Sequence, residues 1–192
     1  MALQKTTKTE METWDTVISD LKETPMPFKY KTVFRHNNST VSLIIDIDPG
    51  GGFEGGFEFT SFSAPVPIQF TSFKAPVQQR DEFRFALHDE GIMDKVGKIF
   101  GMEDITIGYK EFDKQLIVKT NNAEKVKKVF SVLKVRKVFQ SLTDFILQVS
   151  KDDQNNGEYI LEFMIDRAIL NSTELKKLYD AFTGVLDKLG EE

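Results

Sequence analysis

The chain has 192 residues, 40% of them hydrophobic, with 25 Lys and Arg against 30 Asp and Glu and no cysteine. That length supports one substantial core or two small ones, and a formal charge of −5 argues against nucleic acid, whose phosphates require a concentrated basic surface. The missing cysteines remove disulfides, thiolate nucleophiles and the usual structural zinc sites together, so packing must hold the fold, and no cofactor or metal is expected.

Thr7-Lys8-Thr9-Glu10 reads as a capping box, and Met11, Trp14, Val17, Ile18 and Leu21 follow at three- and four-residue spacing as an amphipathic helix. Pro25 and Pro27 end it and launch a strand from Phe28 to Phe34. Asn37-Asn38-Ser39 is then the turn into a second strand, Thr40 to Ile47. Asp48 to Gly56 holds five of the 12 glycines and reads as a loop.

A tandem repeat follows: Phe57-Glu58-Phe59-Thr60-Ser61-Phe62-Ser63-Ala64-Pro65-Val66-Pro67, then Ile68-Gln69-Phe70-Thr71-Ser72-Phe73-Lys74-Ala75-Pro76-Val77-Gln78. Eight of the 17 phenylalanines lie between Phe53 and Phe85. Each copy is expected to be a strand ended by an Ala-Pro-Val turn, because proline cannot donate to a ladder. Glu82 to Leu87 alternates as a further strand. The first part is thus about five antiparallel strands behind one helix.

From Asp89 the pattern changes. Asp89 can cap a helix carrying Ile92, Met93, Val96, Ile99 and Phe100, closed by Gly101. Short strands at Asp104 to Ile107 and Gln115 to Lys119 flank a polar turn, Lys110 to Asp113. Asn121 to Glu124 starts a helix with Val126, Val129, Phe130 and Leu133 on one face, and a kink near Leu133-Lys134 brings Val135, Val138, Phe139 and Leu142 back into phase. Phe145 to Val149 and Tyr159 to Ile165 form a hairpin. Asn171 to Glu174 opens the last helix, whose stripe Leu175, Leu178, Tyr179, Phe182, Val185, Leu186 and Leu189 must pack on something large.

The fold class is therefore α+β, antiparallel sheet covered by amphipathic helices. It forms a single domain over 1–192, with sub-halves 1–88 and 89–192 as the alternative division. The N-terminal residues lack the apolar segment of a signal peptide, and no stretch approaches the ~20 apolar residues that span a bilayer. A soluble cytoplasmic protein is the expectation.

Motif chemistry is sparse. Gly50-Gly51-Gly52-Phe53-Glu54-Gly55 matches G-x-G-x-x-G, but a β run follows where the dinucleotide fingerprint needs a helix N-terminus. Asp46-Ile47-Asp48 faintly matches a calcium loop, whose twelfth position would be Phe57 instead of the required Glu. His36 sits in a turn, as a solvated residue. His88, in His88-Asp89-Glu90, lies beside carboxylates and could act as a general base, although a helix-start network explains the same residues. Lys125, Lys127, Lys128, Lys134, Arg136 and Lys137 make the 123–142 helices basic. That is read as a solvated face, with contact to an anionic membrane or an acidic partner as the alternative.

Tyr109-Lys110-Glu111-Phe112-Asp113-Lys114-Gln115-Leu116-Ile117-Val118-Lys119-Thr120-Asn121-Asn122, followed by a helical pair, a hairpin and a final helix, resembles a C-terminal segment of uncharacterised bacterial proteins. The likeness covers roughly residues 105–189 and implies a bacterial origin and no particular activity.

Two functional classes follow. The first is a non-catalytic binding or interaction protein for an unknown protein or small apolar ligand. It would use an apolar cavity under the last helix, or the Phe-rich strands as a contact surface carrying Phe57, Phe59, Phe62, Phe70 and Phe73. The second is a hydrolase-like enzyme using His88 and nearby carboxylates.

Overall fold

A computed structural model describes residues 10–23, 28–48, 68–79, 81–90, 102–151 and 158–191. Phe57, Phe59 and Phe62, the first repeat copy, the glycine-rich segment and the helix expected after Asp89 lie outside these residues. In chain order the elements are α1 (Glu10–Glu23), β1 (Phe28–His36), β2 (Ser39–Asp48), β3 (Ile68–Val77), β4 (Phe85–His88) and β5 (Glu103–Ile105). There follow α2 (Lys110–Gln115), β6 (Ile117–Thr120), α3 (Ala123–Val129), α4 (Leu133–Gln140), β7 (Phe145–Lys151), β8 (Tyr159–Ile165) and α5 (Ser172–Gly190).

All eight strands join one antiparallel sheet in the order β1-β2-β3-β8-β7-β4-β6-β5. The ladder between β3 and β8, Thr71↔Ile165 to Val77↔Tyr159, ties the first hairpin to the last one, and β4 slots between β7 and β6. The fold is α+β, as the antiparallel hairpins covered by amphipathic helices predict. Alternation along the strands sorts side chains to two faces. One row across the sheet runs Leu43, Phe73, Phe163, Leu147, Leu87 and Val118, and every member is buried. The row beside it runs Ile44, Ser72, Met164, Ile146, His88 and Ile117 on the opposite face.

The five described helices all pack on the first of these faces. Their rings show it. Trp14 of α1 lies 4.7 Å from Phe34, and Tyr179 and Phe182 of α5 lie 5.9 and 5.6 Å from Phe73. Phe139 of α4 stacks on Phe145 at 5.9 Å, while Phe130, at the end of α3, meets Phe85 and the α2 ring Phe112. Contacts of this kind continue ring to ring from Trp14 to Phe83. Each ring buries a large apolar area and adds a favourable edge or offset contact.

Several local expectations change. Ala75-Pro76-Val77 does not turn: it is the end of β3. Its pairing with β2 stops at Lys74, so among the described residues no ladder flanks that side of the strand where Pro76 sits, a position that tolerates the missing N–H. Lys110 to Asp113 is the start of α2 and not a loop. Phe112 and Leu116 bury one turn apart, and the Asp113 carboxylate accepts hydrogen bonds from the Ile107 and Gly108 amides, both at 2.9 Å; Gly108 there has φ +88, which glycine adopts without strain. The cap of α3 is Asn122, whose side chain accepts from the Lys125 amide. Asn121 instead bonds back to Arg84 and Glu82. The break between α3 and α4 falls at residues 130–132, close to the phase shift in the apolar pattern.

The last helix starts as its pattern predicts. Asn171 caps α5 by accepting from the Glu174 amide, and Leu175, Leu178, Phe182 and Val185 are buried. Thr71 of β3 fixes the approach to this helix, donating to the Arg167 carbonyl and accepting from the Ile169 amide, each at 2.9 Å.

Candidate functional site

The five phenylalanines expected on a contact surface divide. Phe73 is core: it is fully buried, and its ring sits among Phe163, Tyr179 and Phe182. It sits one residue out of phase with Phe70, so the two point to opposite faces. Phe70 is half-buried on the other face, opposite Asp46 of β2.

That second face has no described helix on it. It carries the half-buried Ile44, Phe70, Ile160, Met164 and Ile117, beside a polar ladder, Ser42, Lys74, Glu162, Gln148, Ala86, Lys119 and Asp104. Within the ladder Lys74 pairs with Glu162 at 2.7 Å and Lys119 with Asp104 at 3.3 Å. Opposite charges directly across a strand pair stabilise that register. The face therefore combines an apolar strip with a neutralised ionic one.

His88 lies on this face within β4 and is fully buried. Its Nδ1 is 2.8 Å from the Asp89 carbonyl, which only accepts, so Nδ1 is the donor of that bond. Nε2 has no hydrogen-bond partner among the described residues. The Asp89 carboxylate accepts from the Asp144 amide at 2.9 Å, which serves the start of β7.

His36 is not a solvated turn residue. It ends β1, and its Nε2 sits 2.8 Å from Asp187 of α5 while Nδ1 sits 3.6 Å from Glu10 of α1. Asn37 also donates to Asp187. The cluster joins one strand end to two helices. Buried Tyr179 lies against it, and burial, with the charge of Glu10 next, raises its phenol above the usual range.

The basic 123–142 stretch is divided by the fold. Lys125 is buried and pairs with Asp81 at 3.1 Å beneath the Phe83 ring. Arg136 is buried too: it donates to the Phe130 and Ser131 carbonyls and stacks 3.4 Å from the Tyr109 ring centroid. Lys127 pairs with Glu124. Lys128, Lys134 and Lys137 remain exposed, so no continuous cationic face forms.

The Asp81–Lys125 pair makes a pH prediction. Desolvation raises the Asp81 carboxyl, but the hydrogen bonds and charge of Lys125 outweigh it and hold the group below its ordinary value of 3.8. A depressed carboxyl stabilises the fold above its unfolded pKa, and that contribution disappears as pH falls through the folded one. From about pH 5 downward, wild type is expected to lose stability faster than Asp81→Asn in urea titrations. Parallel pH profiles for the two proteins would remove this pair as a source of acid sensitivity.

Among the described residues, two hollows stand out. One, of about 370 Å³, is lined by Glu103, Ile105, Thr120, Asn121 and Ala123 at the β5–β6 edge. The other, of about 310 Å³, runs between α4 and α5. Neither lies under the last helix, where aromatic rings fill the interface with the sheet. Among the described residues, Tyr179 and Phe182 pack there on Phe73. Among the described residues no group of three or more His, Asp or Glu could hold a metal ion, and no helix is long and apolar enough to cross a membrane.

The α4–α5 groove escaped the sequence pattern. Its only trace is the phase shift near Leu133, which marks two helices but not the space beside them. No known protein family and no curated protein matches the sequence. Among solved structures the chain is similar to the crystal structure of the mycobacterial trehalose monomycolate transport factor A, TtfA. The match has 8% identity, covers 94% of this chain and 92% of that one, and has a TM-score of 0.48; a likeness at this level carries no functional information.

Proposed function

We propose that the protein is a non-catalytic binding or interaction module, and that the face of its sheet on which no described helix packs, with Phe70, Ile44 and Met164, is the surface that meets an apolar ligand or a partner protein. The observation that supports this is the one-sided placement of the described helices. Sheets with bulky apolar groups on both faces need cover on both, and here the described helices supply it on one. Ion pairing within the adjacent ladder leaves that strip without strong net charge, which suits an apolar contact.

The test uses anilinonaphthalene sulfonate as an apolar probe. Wild type is expected to enhance its fluorescence saturably, and Met164→Glu or Phe70→Glu to lose most of the enhancement while keeping the far-UV spectrum and melting temperature. Equal enhancement in folded variants would overturn the assignment of this face.

The second reading, a hydrolase-like enzyme using His88 and nearby carboxylates, is favoured only by the Nε2 that has no hydrogen-bond partner among the described residues. Full burial works against it, because a general base must reach its substrate's proton. Generic esterase, phosphatase and glycosidase substrates are expected to show no turnover. Turnover that disappears in a folded His88→Asn variant would replace the binding reading with the catalytic one.

A further inference from the structure

The tandem repeat duplicates β3 with its burial pattern. Phe59-Thr60-Ser61-Phe62 repeats Phe70-Thr71-Ser72-Phe73, and Ala64-Pro65-Val66 repeats Ala75-Pro76-Val77. The described buried positions of β3 are Thr71, Ser72, Phe73, Ala75 and Val77, and every one recurs unchanged eleven residues earlier. Differences fall on the exposed Gln69 and Lys74, where the first copy has Glu58 and Ser63.

β3 fills a demanding slot. It pairs with β2 on one side and β8 on the other, sets Phe73 against Phe163, Tyr179 and Phe182, and uses the Thr71 hydroxyl to hold Arg167 and Ile169. In that slot Phe62 would supply the same ring, Thr60 the same hydroxyl, and Pro65 the same proline beyond the last β2 pair. A one-residue slip sends every side chain of a strand to the wrong face. Exchanging whole copies returns each buried side chain to the right one.

Chain length allows the exchange. β2 ends at Asp48, and the connection from it shortens from residues 49–67 to residues 49–56, which hold five glycines. The connection to β4 lengthens from residues 78–84 to residues 67–84. Closure entropy changes slowly with loop length, and one loop gains what the other loses. Of the described β3 contacts, the exchange forfeits the Lys74–Glu162 ion pair at 2.7 Å, because Ser63 carries no charge. So exposed a pair is worth little.

We propose that the slot between β2 and β8 accepts either copy, making β3 an exchangeable strand and giving the sheet two registers eleven residues apart. The exchange transfers the copy left out of the ladder from the β2 side of the strand to its β4 side. Either register puts a phenylalanine, Phe70 or Phe59, opposite Asp46, so the proposal stands whether or not that face binds a ligand.

The test is thiol labelling with dithiobis(nitrobenzoate), since the chain has no cysteine and one introduced thiol reports alone. Adding Phe73→Ala to Ala75→Cys is expected to speed labelling by about tenfold or more, while the same change slows labelling of Ala64→Cys. Lys74→Glu sets two acids across the β3–β8 pair and removes no core volume; it should shift both rates the same way, by about two- to fivefold. Phe62→Ala removes the reserve ring, so the urea midpoint should fall much further in Phe62→Ala, Phe73→Ala than in Phe73→Ala alone. Ala75→Cys protection that survives both Phe73→Ala and Lys74→Glu, faster labelling of both thiols, or a Phe73→Ala midpoint indifferent to Phe62→Ala would each overturn the exchange. Protection of Ala64→Cys confined to a dimer in sedimentation would overturn it in favour of strand swapping between chains.

Discussion

Phe182→Ala is expected to lower the free energy of unfolding by about 3–5 kcal/mol. The ring is fully buried on α5 and lies 5.6 Å from Phe73, whose other neighbours, Phe163 and Tyr179, belong to β8 and to the preceding turn of α5. Truncation removes transfer energy and leaves a void. Stiff aromatic walls on both sides limit how far that void can collapse. The loss is a large share of a typical domain's 5–15 kcal/mol, so the urea midpoint should fall sharply, and a conservative Phe182→Leu should recover part of it. An unchanged midpoint in Phe182→Ala would show that α5 is not packed on the sheet through this face.

Arg136→Ala is expected to cost about 2–4 kcal/mol, mostly from the carbonyls of Phe130 and Ser131, which lose a buried charged donor. The remainder is the stack on Tyr109. Arg136→Lys should restore only part, since an ammonium cannot present the guanidinium's fork or lie flat on the ring. Hydrogen exchange supplies a local reading: amides of the α3–α4 junction should exchange faster in Arg136→Ala, while those of β1 and β2 keep their protection relative to the global change. Uniform loss across the sheet would mean that the side chain acts through the whole core and not through this junction.

Elements whose evidence is local were legible before folding. Seven apolar positions from Leu175 to Leu189 define the buried stripe of α5, the Asn-rich turn defines the β1–β2 hairpin, and the Phe145 and Tyr159 runs define the β7–β8 hairpin. In each case nearest neighbours in sequence supply the hydrogen bonds and the period that sorts side chains to one face. Local pattern failed where the deciding partner is distant. Pro76 looks like a strand terminator until β8 is placed beside it and β2 is seen to stop short. Lys110 to Asp113 looks like a loop until Phe112 finds Phe130. Arg136 and Lys125 look like members of a solvated basic face, and only the positions of the Phe130 and Ser131 carbonyls and of Asp81 turn them inward.

The sites follow the same division. Composition was enough to set aside disulfides and cysteine metal sites, since each needs residues that this chain lacks. Alternation along β3 alone separates Phe70 from Phe73. Which of those two faces the described helices cover was decided by tertiary packing, since all five lie on one side of the sheet. That choice rests on contacts between residues more than a hundred positions apart, such as Phe73 with Phe182 and His36 with Asp187. The α4–α5 groove belongs wholly to tertiary structure, because the gap between two helices depends on their crossing and on the bare Gly184 at the contact, neither of which is written in the apolar period of either helix.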